Sequence, residues 1–226
     1  MTSPDPNPDR TLAARINLYY DLHVAAPGPA PLLIALHGYG ANKQQMMREA
    51  RHMAPAGFAI ASLQGFHQHL KEPYVKGGPL RFGFGWLTNF RPEESVALHH
   101  EALKDLISQL IQEGVADSSR IYLVGFSQSC ALNYRFAFSN PARLRGVIGI
   151  CGGLPGDWET NPSYRSSQIN VFHLAGTRDE FYTPERVRDY KQQLEARTPN
   201  VTFKSYDAAH EFVPEMREDI RQWLQK

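Results

Sequence analysis

The segment Arg120-Ile-Tyr-Leu-Val-Gly-Phe-Ser-Gln-Ser-Cys-Ala131 decides the fold. Ile121 to Val124 is a short β-branched and aromatic run of the kind that fills a buried strand. A turn-like segment, Gly125-Phe126-Ser127-Gln128-Ser129, follows at once. After it, Cys130 to Phe138 is apolar, free of Gly and Pro, and reads as a helix. Strand, sharp turn and helix with a serine at the apex is the context that a nucleophile elbow requires. Such a turn exposes the hydroxyl, and the helix aims its N-terminal amides and positive dipole end at negative charge building up there. The usual pattern is Gly-x-Ser-x-Gly. Here the last glycine is Ser129, still small enough for close helix–strand packing. On these residues alone, an ordinary strand–helix junction capped by a serine stays open.

Outward from the elbow, the chain alternates short apolar runs with amphipathic ones. Leu32 to Leu36, Phe58 to Leu63, Gly146 to Cys151, Ile169 to Ala175 and Val201 to Tyr206 read as strands, the first a continuous apolar run buried on both faces. Ile16 to Leu22 is an earlier, Tyr-rich strand, expected to pair antiparallel with residues near His23 to Ala25. Helices are expected over Lys43–Met53, Glu93–Ile111, Pro184–Ala196 and Val213–Leu224. Gln64 to Pro92, with five glycines or prolines between Gly77 and Gly85, reads as a long irregular loop, and such loops are usually functional. The alternation predicts an α/β fold: a mostly parallel central sheet with helices on both faces and at most a loop for a lid. Ligands of such sheets bind beyond the C-terminal strand ends.

Composition narrows the function. The chain has 226 residues, enough for one domain with a full core, expected over 13–226 behind a flexible tail over 1–12. With 24 Lys and Arg against 23 Asp and Glu, and no basic tract, nucleic acid is not an expected partner. The proline-rich, polar N-terminus lacks the apolar core of a signal peptide, and no apolar run approaches the roughly 20 residues of a membrane span. A cytoplasmic location is expected. Cys130 and Cys151 have neither zinc-site nor disulfide-framework spacing and read as small buried hydrophobes.

Four strand-end loops carry groups that could meet: His37-Gly38-Tyr39-Gly40, Ser127, Asp179 and His210. A serine hydroxyl needs a base within hydrogen-bond reach, and the base needs a carboxylate to fix its tautomer. The order Ser127, Asp179, His210 is that of the α/β-hydrolase arrangement. Leu36-His37-Gly38-Tyr39-Gly40, Gly125-Phe126-Ser127-Gln128, Ala175-Gly176-Thr177-Arg178-Asp179 and Ala209-His210-Glu211, in that order, resemble the phospholipase/carboxylesterase family of α/β-hydrolases, which includes the acyl-protein thioesterases. The resemblance runs from about Leu32 to the C-terminus. It implies an enzyme that cleaves esters or thioesters without a cofactor, with Ser127 as nucleophile, Asp179 as orienting acid and His210 as base. Tyr39 and Gln128 would donate oxyanion-hole amides, and Gly38 would let the backbone approach the substrate carbonyl. The substrate would be a small-molecule ester or thioester, and the resemblance admits a homodimer. Ser129-Cys130 and Ala208-Ala209 depart from the family's glycines.

Each residue also has a plainer reading. Ser129 is structural, and His23, His52 and His173 belong to regular elements. His99 and His100 are helix neighbours that cannot share a face. His67-Gln-His69 has metal-like spacing without a supporting carboxylate or cysteine, so no metal is expected. Tyr74, Phe82, Phe84 and Phe90 pack the long loop, whereas Trp86 is the candidate to line a substrate pocket. Two other readings share the same residues: a hydrolase of amide or peptide bonds, and a catalytically silent binding protein on this fold.

Overall fold

The computed structural model describes residues 10–25, 27–73 and 75–226. Residues 1–9 of the expected tail and Tyr74 lie outside that description; Arg10, Thr11 and Leu12 are exposed. Among the described residues, nine strands and six helices follow one another: β1 (Tyr20–His23), β2 (Ala30–Leu36), α1 (Lys43–Met53), β3 (Ala59–Leu63), β4 (His67–Lys71), β5 (Arg81–Gly85), α2 (Pro92–Gln112), β6 (Ala116–Phe126), α3 (Gln128–Ser139), β7 (Gly146–Ile150), β8 (Asn170–Gly176), α4 (Pro184–Val187), α5 (Tyr190–Glu195), β9 (Val201–Tyr206) and α6 (Pro214–Leu224). Seven strands form one sheet in the order β1-β3-β2-β6-β7-β8-β9. All its pairings are parallel except β1 with β3.

Burial on both faces explains why the inner strands are apolar throughout. Along β2, Leu32, Ile34 and Leu36 enter one core cluster while Leu33 and Ala35 enter the other. Ile121 and Leu123 of β6 repeat this division against Tyr122 and Val124, as the two-residue period of a strand requires. The first cluster includes Leu103, Ile107 and Leu110 of α2 with Leu132 and Phe136 of α3. The second takes Met46, Met47 and Met53 of α1 with Met216 and Ile220 of α6. Helices thus cover both faces of a mostly parallel sheet, as the alternation predicts.

Three expectations need correction. The first strand is Tyr20–His23, and it pairs with β3 in the register Tyr20↔Leu63 rather than with residues just after it. The 64–92 segment is not irregular: β4 and β5 form an antiparallel hairpin with Leu70 opposite Phe82. The expected helix over 184–196 is two short helices, α4 and α5.

Candidate active site

The elbow forms where β6 ends. Ser127 adopts φ 56° and ψ −115°, a left-handed conformation that costs a non-glycine residue energy and persists only where its surroundings enforce it. Those surroundings are visible. The Ser127 amide donates to Ile150 O at 2.9 Å, at the end of the neighbouring strand β7. Ser129 Oγ donates to Leu36 O at 2.9 Å and accepts from the Phe126 amide at 3.0 Å, so the elbow is tied to the end of β2. A Cβ at Gly125 would stand 2.7 Å from Asn133 Nδ2 and 2.9 Å from Ser129 Oγ, so that position takes no side chain.

Two further strand ends complete the arrangement. His210, four residues past β9, places Nε2 2.9 Å from Ser127 Oγ and Nδ1 2.9 Å from Asp179 Oδ2. Asp179, three residues past β8, is 2% exposed. Its Oδ1 accepts the amides of Phe181 at 2.9 Å and Tyr182 at 2.8 Å. Burial works to raise the Asp179 pKa, but the Tyr182 amide, the His210 ring and the Phe181 amide outweigh it, and the net shift is downward. The carboxylate is therefore ionised at neutral pH and points at one nitrogen of His210, which leaves the other to face the hydroxyl. Phe126, Phe181 and Tyr182 surround the imidazole at centroid distances of 4.8, 4.9 and 5.9 Å.

The loop after β2 faces the serine from the other side. A Cβ on Gly38 would lie 3.2 Å from Ser127 Cβ and 2.9 Å from Phe126 Cδ1, so only glycine allows this approach. The amides of Tyr39 and Gln128 donate to no partner among the described residues. His37 holds the loop: its Nδ1 bonds Gly38 O at 2.8 Å and its Nε2 accepts the Gly65 amide at 2.9 Å. A carbonyl on one nitrogen and an N–H on the other select the neutral Nδ1–H tautomer. Burial lowers its pKa from 6.5 to about 4, against a smaller raising effect of the Gly38 carbonyl.

The hairpin supports this loop from outside, which the sequence reading missed. The Gly40 amide donates to Phe84 O at 2.8 Å, and Lys71 Nζ donates to Gly40 O at 3.1 Å. The Gln128 side chain accepts the Trp86 amide at 2.8 Å and donates to Leu87 O at 3.1 Å. Trp86 Nε1 donates to His37 O at 2.8 Å. This placement overturns the expectation that Trp86 lines a substrate pocket. At 0% exposure its indole packs between His37 and His99, under the loop rather than in front of it.

Two histidines of the hairpin find separate partners. His67 Nε2 bonds Ser95 Oγ at 2.8 Å and His69 stacks on Tyr39 at 4.5 Å, so the two rings serve different neighbours. No group of three His, Cys, Asp or Glu among the described residues could hold a metal ion. His99 and His100 point from adjacent helix positions, yet their ring centroids lie 5.7 Å apart. Among the described residues no helix is long and apolar enough to cross a membrane.

Known proteins resemble the chain in sequence and in fold. A family model described as phospholipase/carboxylesterase matches residues 23–226. Acyl-protein thioesterase 1 of Eremothecium gossypii is 32% identical over 143 residues, 59% of this chain and 59% of that protein. Epoxide hydrolase B of Mycobacterium tuberculosis is 23% identical over 211 residues, 90% of this chain and 48% of that one. The chain thus spans about half the length of these curated relatives. A Bacillus cereus carboxylesterase structure superposes with a TM-score of 0.72 at 18% identity, covering 92% of this chain and 93% of that one. A Mesorhizobium loti carboxylesterase gives 0.73 at 19% identity, over 92% and 94% of the two chains.

Proposed function

The chain belongs to the phospholipase/carboxylesterase family, and from that premise we propose that it is a serine hydrolase cleaving carboxylic esters or thioesters through an acyl-enzyme. The hydrolase domain would span 13–226. The observation that carries this reading is the single imidazole of His210, bonded to Ser127 Oγ on one nitrogen and to the Asp179 carboxylate on the other.

In the proposed cycle, Ser127 Oγ attacks the carbonyl carbon while its proton passes to His210 Nε2. Asp179 stabilises the imidazolium and keeps it aimed. The carbonyl oxygen becomes an oxyanion between the amides of Tyr39 and Gln128, which have no competing acceptor among the described residues. The carbon–oxygen or carbon–sulfur bond then breaks, and His210 returns the proton to the departing alcohol or thiol. A water molecule repeats the sequence on the acyl-enzyme: its proton goes to His210 and then to Ser127 Oγ, releasing the acid. The balance is one ester and one water in, one acid and one alcohol out, with no cofactor called for. Gly38 keeps the space in front of the hydroxyl clear.

A fluorophosphonate probe should label Ser127, and Ser127→Ala should lower turnover of short p-nitrophenyl esters by about 10⁴-fold or more with an unchanged folded spectrum. An unlabelled wild-type chain that turns over no ester would leave the silent binding protein as the better reading.

A further inference from the structure

A pocket of about 260 Å³ opens beside the proposed nucleophile, between α1 and the loop that carries His210. Gly38, Ala41, Met46, Phe126 and Phe212 give it an apolar wall, beside His37 and Gln45. Gly38 is the residue whose missing Cβ would touch Ser127. Phe126 stacks on Phe212 at 4.5 Å and lies 4.8 Å from His210. Two of the lining residues therefore touch the site: Gly38 lies against Ser127 and Phe126 against His210. The outer end is charged, because Arg48 and Glu49 of α1 line it. Glu49 is already paired, its Oε2 accepting from Arg217 Nε at 2.8 Å. In the neighbouring pocket, which Arg48 and Glu49 also line, Arg221 pairs with Glu218. Arg48 is exposed and makes no ion pair among the described residues, so the rim keeps one uncompensated positive charge.

Resting on the hydrolase reading above, we propose that this pocket receives a short apolar arm of the substrate whose far end is an anionic group, a carboxylate or phosphate, held by Arg48. Shape and charge agree. Of the polar lining residues, His37 already spends both ring nitrogens on Gly38 O and the Gly65 amide and Gln45 is uncharged, so Arg48 is the lining cation open to an anion. Its planar fork of donors suits a carboxylate or phosphate. At roughly 30 Å³ per water-sized unit the volume holds about eight or nine such units. That admits an arm of about six to eight non-hydrogen atoms and excludes a long acyl chain. The arm could belong to the acid or to the alcohol of the ester. The shared chemistry is the same, and the substrates below tell the two apart.

The test uses two pairs of esters, each matching an anion with its neutral carboxamide. p-Nitrophenyl hydrogen glutarate against p-nitrophenyl glutaramate carries the charge on the acyl arm. 4-(Butanoyloxy)butanoate against 4-(butanoyloxy)butanamide carries it on the alcohol arm. We expect kcat/KM of the wild-type chain to favour the anion by about tenfold in one pair at low salt, and less as salt rises. The ratio should fall toward unity in Arg48→Gln and invert in Arg48→Glu, which are surface changes that leave the core intact. Equal rates within both pairs would overturn the inference while the hydrolase reading stands. A preference that survives Arg48→Gln would also overturn it. If no ester is turned over and no probe labels Ser127, the hydrolase reading fails and the inference falls with it.

Discussion

The elbow at Ser127 and the hairpin of β4 and β5 both shape the same few ångströms of space, and they are held in unlike ways. The elbow is held from within, by a buried hydroxyl on Ser129, by the β7 carbonyl of Ile150 and by glycines that admit close backbone contact. None of those bonds involves a group that titrates between pH 3 and 9. The hairpin bonds Gly40 and Ser95 and leads straight into one large ring, Trp86, seated between the imidazoles of His37 and His99 at 5.1 and 5.8 Å. A strained turn can rest on hydrogen bonds between neutral groups. A broad surface element draped over a loop needs an anchor, and here the anchor is sensitive to acid.

Removing the anchor should have the largest effect on this contrast. Trp86→Ala leaves a cavity under the His37–Gly40 loop and strips the donor from His37 O, at a cost of about 3–5 kcal/mol. Urea unfolding should show the loss, and kcat should fall with it while fluorophosphonate labelling of Ser127 persists slowly. An unchanged midpoint would mean that the hairpin contributes nothing to the fold.

Acid should come next. Burial lowers the pKa of His37 to about 4 and that of His99 to about 3, the latter helped by neighbouring His100. The unfolded chain, with ordinary histidines near 6.5, therefore binds more protons than the folded one below that pH, so stability falls as pH falls from 6.5 toward 4. For His37 the difference of 6.5 and about 4 corresponds to about 3 kcal/mol. Unfolding midpoints measured across that window should drop steadily. Asp179 acts lower: its carboxyl pKa is depressed below 3.8, so its contribution is present above that value and lost only as pH falls further. A midpoint that is flat from pH 6.5 to 4 would rule out neutral, buried imidazoles under the hairpin.

The smallest effect tests the elbow. Ser129→Gly restores the usual glycine but removes the hydroxyl that joins Leu36 O to the Phe126 amide. It should cost about 1–2 kcal/mol and slow turnover less than tenfold. A gain in stability would show that the serine is tolerated there rather than used.

The same contrast separates what could be read in the sequence from what could not. Ile121 to Ser129 and Leu32 to Gly40 were legible because strands buried on both faces are apolar without interruption and end in turn residues. The residues of the site followed from them, since strand ends of a parallel sheet share one rim. The hairpin was not legible. Gly83 and Gly85 look like loop residues, yet a Cβ at Gly83 would stand 2.6 Å from His69 Nε2 and one at Gly85 3.0 Å from Tyr39 Cδ2. They are glycines because other side chains crowd them, and a sequence does not display its crowding. Trp86 failed for a related reason: a bulky aromatic in a glycine-rich stretch gives no sign of which side of the loop it occupies. Gln128 was read only for its amide N–H, although its side chain clasps Trp86 and Leu87.

The strand order has a kinetic consequence. Ser127 is mounted on β6, in the middle of the sheet, whereas the loop bearing His210 is fed by β9, which has β8 alone beside it. Fraying of that outermost strand would carry the imidazole away from the hydroxyl while the central strands stay zipped. Catalytic output would then track the opening rate of a single border strand, so amide exchange at Val201–Tyr206 is a closer gauge of working lifetime than the melting of the whole chain.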